Sequence, residues 1–139
     1  IEVINQHGTV GSNDDIANIT LTVRLAAGSS SVNMNTTSIK YLSDDTVTTL
    51  TNSTDQTANA EHFSLFEVRD DDTSFGVLNS RDDRYEVAID AAAVEGSTGL
   101  DTGSRVQLDI TSQTGGTTQV ILTMPQQLAG NEAGEPVKL

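Results

Sequence analysis

The sequence predicts an all-β chain: an immunoglobulin-like β-sandwich of seven to eight strands, forming one domain over residues 1–139. Three observations predict it. Apolar residues recur with period two along most of the chain, as they do in strands with one buried face. No segment carries an apolar stripe at helical spacing. Clusters of Gly, Asn, Asp and Ser break the apolar runs at sandwich-like intervals.

Each strand has its own pattern. Ile19, Leu21, Val23 and Leu25 alternate with Thr20, Thr22 and Arg24, then run into Ala26-Ala27-Gly28. Ile39 and Tyr41 open a second strand, and Val47 to Thr51 form a third after the Asp44-Asp45 turn. The fourth runs from Phe63 through Leu65 to Val68. Tyr85, Val87 and Ile89 make the fifth, followed by Ala91 to Val94, long enough for a helical turn at most. Val106, Leu108 and Ile110, then Val120, Leu122 and Met124, form the last two, joined through Gly115-Gly116. Pro125 cannot donate to a ladder and ends the series. Residues 126–139 read as a partly irregular polar tail closing on Val137 and Leu139.

Composition narrows the function. With no Cys, neither disulfides nor thiolate chemistry contributes. The core is aliphatic: Trp is missing, and Phe63, Phe66, Phe75, Tyr41 and Tyr85 are the only large rings in the chain. Net charge is −13, and Lys40 and Lys138 are the only lysines. Such a surface repels nucleic acid and anionic lipid, so neither is expected as a partner. Abundant Asp and Thr with almost no Lys fit a protein made for molar salt. There the Debye length is about 3 Å, and crowded carboxylates hardly sense one another. The chain begins at Ile1, and no apolar run approaches the roughly 20 residues of a membrane helix. A surface-type domain without an export signal reads as one trimmed or matured from a longer precursor.

Candidate chemistry is sparse. His7 and His62 are the only histidines, and no Gly-flanked Ser accompanies them, so no hydrolytic triad is expected. Paired carboxylates such as Asp82-Asp83 are a glycosidase pattern, but sugar-stacking rings are scarce. No enzyme and no required cofactor are expected. Asp70, Asp71 and Asp72, followed by Asn79, Asp82 and Asp83, offer hard oxygens for a structural Ca²⁺ or Mg²⁺. The first reading of that cluster is a solvated acidic turn, and a structural ion is the lesser alternative. Three Asn-x-Ser/Thr acceptors for N-linked glycans begin at Asn18, Asn35 and Asn52. Asn35 and Asn52 fall in turn-like stretches, whereas Asn18 opens a strand.

Order and spacing of several motifs carry a resemblance. Ile1-Glu2-Val3-Ile4-Asn5-Gln6-His7-Gly8 is followed by Asn18-Ile19-Thr20-Leu21-Thr22-Val23-Arg24-Leu25-Ala26-Ala27-Gly28-Ser29. Thr37-Ser38-Ile39-Lys40-Tyr41-Leu42, Val77-Leu78-Asn79 and Asp83-Arg84-Tyr85-Glu86-Val87 come next. Gly103-Ser104-Arg105-Val106-Gln107-Leu108-Asp109-Ile110-Thr111 and Met124-Pro125-Gln126-Gln127-Leu128 complete the set. Together they resemble the outer domain of archaeal flagellins, most of all the haloarchaeal members. The resemblance implies a structural subunit of the archaellum filament, outside the cell. It implies a homopolymer joined through an N-terminal helix absent from this chain, with glycans facing the medium. The domain alone is then expected to be monomeric. Two other readings share the plan: a non-rotating pilin-like adhesion filament, and a binding module of a surface-layer protein.

Overall fold

The computed structural model describes residues 1–28, 30–53, 55, 57–69, 76–80, 82–113, 116–128 and 132–139. Among these it forms eleven strands and one short helix. The strands are β1 (Glu2–Val10), β2 (Ile16–Arg24), β3 (Val32–Asn33), β4 (Ser38–Leu42), β5 (Val47–Asn52), β6 (His62–Arg69), β7 (Val77–Leu78), β8 (Arg84–Ile89), β9 (Arg105–Thr111), β10 (Thr117–Thr123) and β11 (Pro136–Lys138). Helix α1 spans Ala91–Glu95, and a 3-10 turn, Met34–Thr36, sits between β3 and β4.

Nine strands join in the order β10-β9-β4-β5-β6-β8-β2-β1-β11, and β3 pairs with β7 separately. The ladders are antiparallel except where β5 meets β6, a parallel contact of two pairs, Thr51 with His62 and Asn52 with Phe63. That short joint lets the sheet curl into two facing halves around one core. One half supplies Ile19, Leu21, Val23, Leu65, Val87 and Ile89, and the other Ile39, Leu50, Val106, Leu108, Ile110 and Leu122. Every one is almost fully withdrawn from water, so the period-two pattern is the pattern of burial.

The seven strands expected from alternation are all present. The pattern missed β1, β11 and the β3–β7 pair. In β1 the register against β2 shifts between Val3 and Asn5, leaving Ile4 as an extra residue. A bulge of this kind breaks the alternation that marks a strand. β11 has three residues and β3 and β7 two each, too short for periodicity to show. The tail is thus partly ordered: β11 pairs with β1, setting Gly8 opposite Val137, and Val137 and Leu139 pack against the core.

The expected helical turn is α1. Asp90 caps its start, accepting from the Ala93 N–H at 3.1 Å. Gly96 ends it in the left-handed region at φ 66°, which a Cβ would disfavour. The last helical residue, Glu95, clips α1 to the β4–β5 hairpin. Its two carboxylate oxygens accept from Tyr41 Oη and Thr46 Oγ1, both at 2.8 Å. Burial pushes the Tyr41 phenol well above its ordinary pKa, and the bond to Glu95 adds to the shift.

Candidate functional site

Charge is divided sharply between strands and connections. Of the twenty acidic residues the strands hold only Glu2, Glu67, Glu86 and Asp109. They hold six of the seven basic ones: Arg24, Lys40, Arg69, Arg84, Arg105 and Lys138. The large negative charge therefore belongs to the segments between strands. Two of the four strand acids, Glu2 and Asp109, have a basic residue directly across from them. Glu2 accepts from Arg24 Nε and Nη2 at 2.9 and 3.1 Å, which holds its carboxyl below the usual range. Asp109 lies opposite Lys40.

The acidic connection before β8 separates two neighbours. Asp82 is exposed, but Asp83 is fully buried. Its Oδ2 accepts from the backbone N–H of Asn79 at 3.1 Å and of Ser80 at 3.2 Å, so it shapes the turn from inside. A solvated face does not describe Asp83. Its Oδ1 is buried without a hydrogen-bond partner. Asp70, Asp71 and Asp72 lie outside the described residues, and among the described residues no three acidic or His side chains converge as a metal-binding group. A second buried carboxylate was not apparent from sequence. Asp15, in the β1–β2 turn, accepts from Thr98 Oγ1 and ties that turn to the loop after α1.

Asn35 and Asn52 are brought together by the fold, although seventeen residues separate them. Asn52 Nδ2 donates to Asn35 Oδ1 at 2.7 Å. Asn35 sits in the 3-10 turn, whose Asn33 cap accepts from the Asn35 N–H at 2.9 Å. Its own Nδ2 faces Gly76, where a Cβ would stand only 2.7 Å away. Asn52 Oδ1 is buried without a hydrogen-bond partner. Asn18 is exposed but lies within β2, between β1 and β8, with Thr9 opposite.

The histidines do not meet. His7 is on β1 and His62 on β6, with β2 and β8 between them. Three inter-strand spacings put them roughly 14 Å apart. His62 Nδ1 shares a hydrogen bond with Thr51 Oγ1 at 2.9 Å on the exposed β5–β6 joint. A cleft of about 280 Å³ beside the β4–β5 turn is lined by Asp44, Asp45, Glu95, Asp101 and Arg105. Such an acidic lining differs from the mostly apolar wall of a small-molecule site.

The arrangement is a near-neutral sandwich wrapped in acidic connections, a salt-adapted structural domain whose acidic charge lies outside its strands. The chain belongs to the archaeal-type flagellin family, whose family model matches residues 1–121. It is 59% identical to Flagellin A2 of Haloferax volcanii over the whole chain and 73% of that relative. Flagellin B2 of Halobacterium salinarum is 35% identical, covering 96% of this chain and 67% of the relative. The crystal structure of archaeal flagellin FlaB1 from Methanocaldococcus jannaschii superposes with a TM-score of 0.82 at 19% identity. That match covers 98% of this chain and 93% of FlaB1, confirming the fold.

Proposed function

We propose that this chain is the outer β-sandwich domain of an archaellum filament subunit, working outside the cell in a high-salt medium. The observation that carries the reading is the 59% identity to a haloarchaeal flagellin along the entire chain. A solved archaeal flagellum, that of Methanospirillum hungatei, contains the same fold at a TM-score of 0.63, covering 93% of this chain. The partner in this reading is a further copy of the same subunit, and the task is mechanical rather than catalytic. Two roughly 14 Å-separated histidines give hydrolytic chemistry no support. N-linked glycans at Asn18, Asn35 or Asn52, projecting into the medium, complete the proposal.

The test exchanges this chain for the matching segment of Flagellin A2 in a Haloferax strain lacking its own flagellins. Filaments seen by electron microscopy, together with swimming in soft agar, are the expected result. Filaments without swimming would favour the adhesive reading, and stable subunits without filaments would overturn the proposal.

A further inference from the structure

We infer that the glycan at Asn35 is transferred before the sandwich closes, so that the folded domain is not itself an acceptor. This rests on the reading of Asn35 as an N-glycan site. Transfer joins Asn35 Nδ2 to the anomeric carbon of a lipid-phosphate-linked oligosaccharide. The carbon–oxygen bond to the phosphate breaks, the lipid phosphate leaves with its electron pair, and one amide proton is lost. The acceptor pattern also demands a hydroxyl two residues on, here that of Thr37.

In the folded chain Asn35 is itself exposed, but the hydroxyl requirement is not met. Asn35 Nδ2 is turned against Gly76, and Asn35 Oδ1 is held by Asn52. Thr37 is 1% exposed, and its Oγ1 donates to the Asn33 carbonyl at 2.9 Å. The segment is stapled at Met34, fully buried, whose N–H donates to the Gly76 carbonyl at 2.7 Å. Reaching both Asn35 Nδ2 and the Thr37 hydroxyl requires undoing this turn and lifting a core residue. Asn18 is itself exposed and Thr20 only half-buried, but its backbone is fixed within β2. Its neighbour Ile19 is 0% exposed, and the strand carrying both is paired on its two sides.

The experiment supplies membranes bearing an archaeal oligosaccharyltransferase and its lipid-linked donor with three acceptors in 2 M KCl. These are the folded chain, the chain held unfolded by Leu108→Asp, and a peptide of residues 30–42. Circular dichroism verifies the folded and unfolded states, and site-resolved mass spectrometry reads Asn35. Modification of the unfolded chain and the peptide is expected, with the folded chain at least about tenfold slower, because transfer to it waits on local opening. Equal rates on the folded chain and the peptide would overturn the order of events while leaving Asn35 an acceptor. No transfer to any of the three would overturn Asn35 as an acceptor altogether.

Discussion

Strands and connections in this molecule obey different electrostatic rules. The strands carry more basic than acidic groups, and opposite charges offset one another in the Glu2–Arg24 and Lys40–Asp109 pairs, while Arg69 stands opposite Arg84. The connections carry most of the acidic residues of a chain with net charge −13. A sheet brings side chains of adjacent strands within about 5 Å, where like charges directly opposite destabilise. Connections can splay into solvent and tolerate crowding, provided salt screens it. Adaptation to high salt is thus confined to parts of the fold that do not set its register.

The largest effect expected from this division is on salt dependence. At 0.15 M the Debye length is about 8 Å and the acidic connections repel one another, whereas at 1 M it is near 3 Å. The melting temperature should rise steeply between 0.1 and 2 M, with KCl and NaCl acting alike. Hydrogen exchange at falling salt should show the connections opening first and the β2, β8, β4 and β9 ladders last. A flat melting temperature, or simultaneous opening of both regions, would break the comparison.

The core should respond in the opposite way, strongly to packing and weakly to salt. Leu21 and Leu108 come from the two facing halves and are both 0% exposed. Leu21→Ala and Leu108→Ala should each cost about 2–5 kcal/mol in chemical denaturation, the range for deleting a buried leucine and leaving a cavity. The two costs should differ little between 0.5 and 2 M KCl. A cost that halved across that range would show that screening reaches the core.

How much of this was legible beforehand depends on length and regularity. The β4, β9 and β10 ladders run without a register shift, and their alternation is plain in the sequence. β1 was hidden by the bulge at Ile4, and Val68 occupies a similar irregularity in the β6–β8 register. Both are apolar yet exposed, at 40% and 54%, because a bulge turns a side chain out of phase. The acceptor asparagines were visible as motifs. Their contact was not, because it depends on β5 docking beside the 3-10 turn. Nothing local distinguishes Asp83 from Asp82, since the difference is made by the N–H groups of Asn79 and Ser80.

That dipeptide gives the next test, two adjacent carboxylates that belong to opposite sides of the comparison. Asp83→Ala withdraws a buried acceptor from two backbone N–H groups and should cost about 1–3 kcal/mol at any salt concentration. Asp82→Ala removes an exposed charge from an acidic connection, and should leave stability unchanged at 2 M and raise it at 0.2 M. Equal effects from the two would mean that burial does not separate them.

Tyr41 sharpens the boundary from the strand side. Its phenol is buried and bonded to Glu95, so its pKa is raised in the folded state. Above about pH 10 the unfolded chain's phenol loses its proton while the folded one keeps it. The folded state then holds the extra proton, and stability falls as pH rises through that range. Tyr41→Phe should cost about 1–2 kcal/mol at pH 7, from the lost bond to a carboxylate. It should also flatten the decline between pH 10 and 11. A variant declining as steeply as the parent would place the alkaline sensitivity elsewhere.

The smallest effect should come from Lys40, a strand cation within a strongly acidic molecule. It faces Asp109 across the β4–β9 ladder and Thr49 across the β4–β5 ladder. Opposite charges at directly paired positions attract weakly when exposed, and salt screens most of that attraction. Lys40→Thr suits a strand and keeps the outward face polar, so packing and β-propensity are little disturbed. A slightly lower melting temperature is expected at 0.2 M and no change at 2 M. This salt response is opposite in sign to that of Asp82→Ala, and the contrast isolates location from charge alone. In one variant salt restores a lost attraction's equal footing, and in the other it hides a repulsion already removed. If Lys40→Thr instead destabilised the domain equally at both concentrations, the lysine's hydrocarbon stem, rather than its charge, would be its contribution to the sheet.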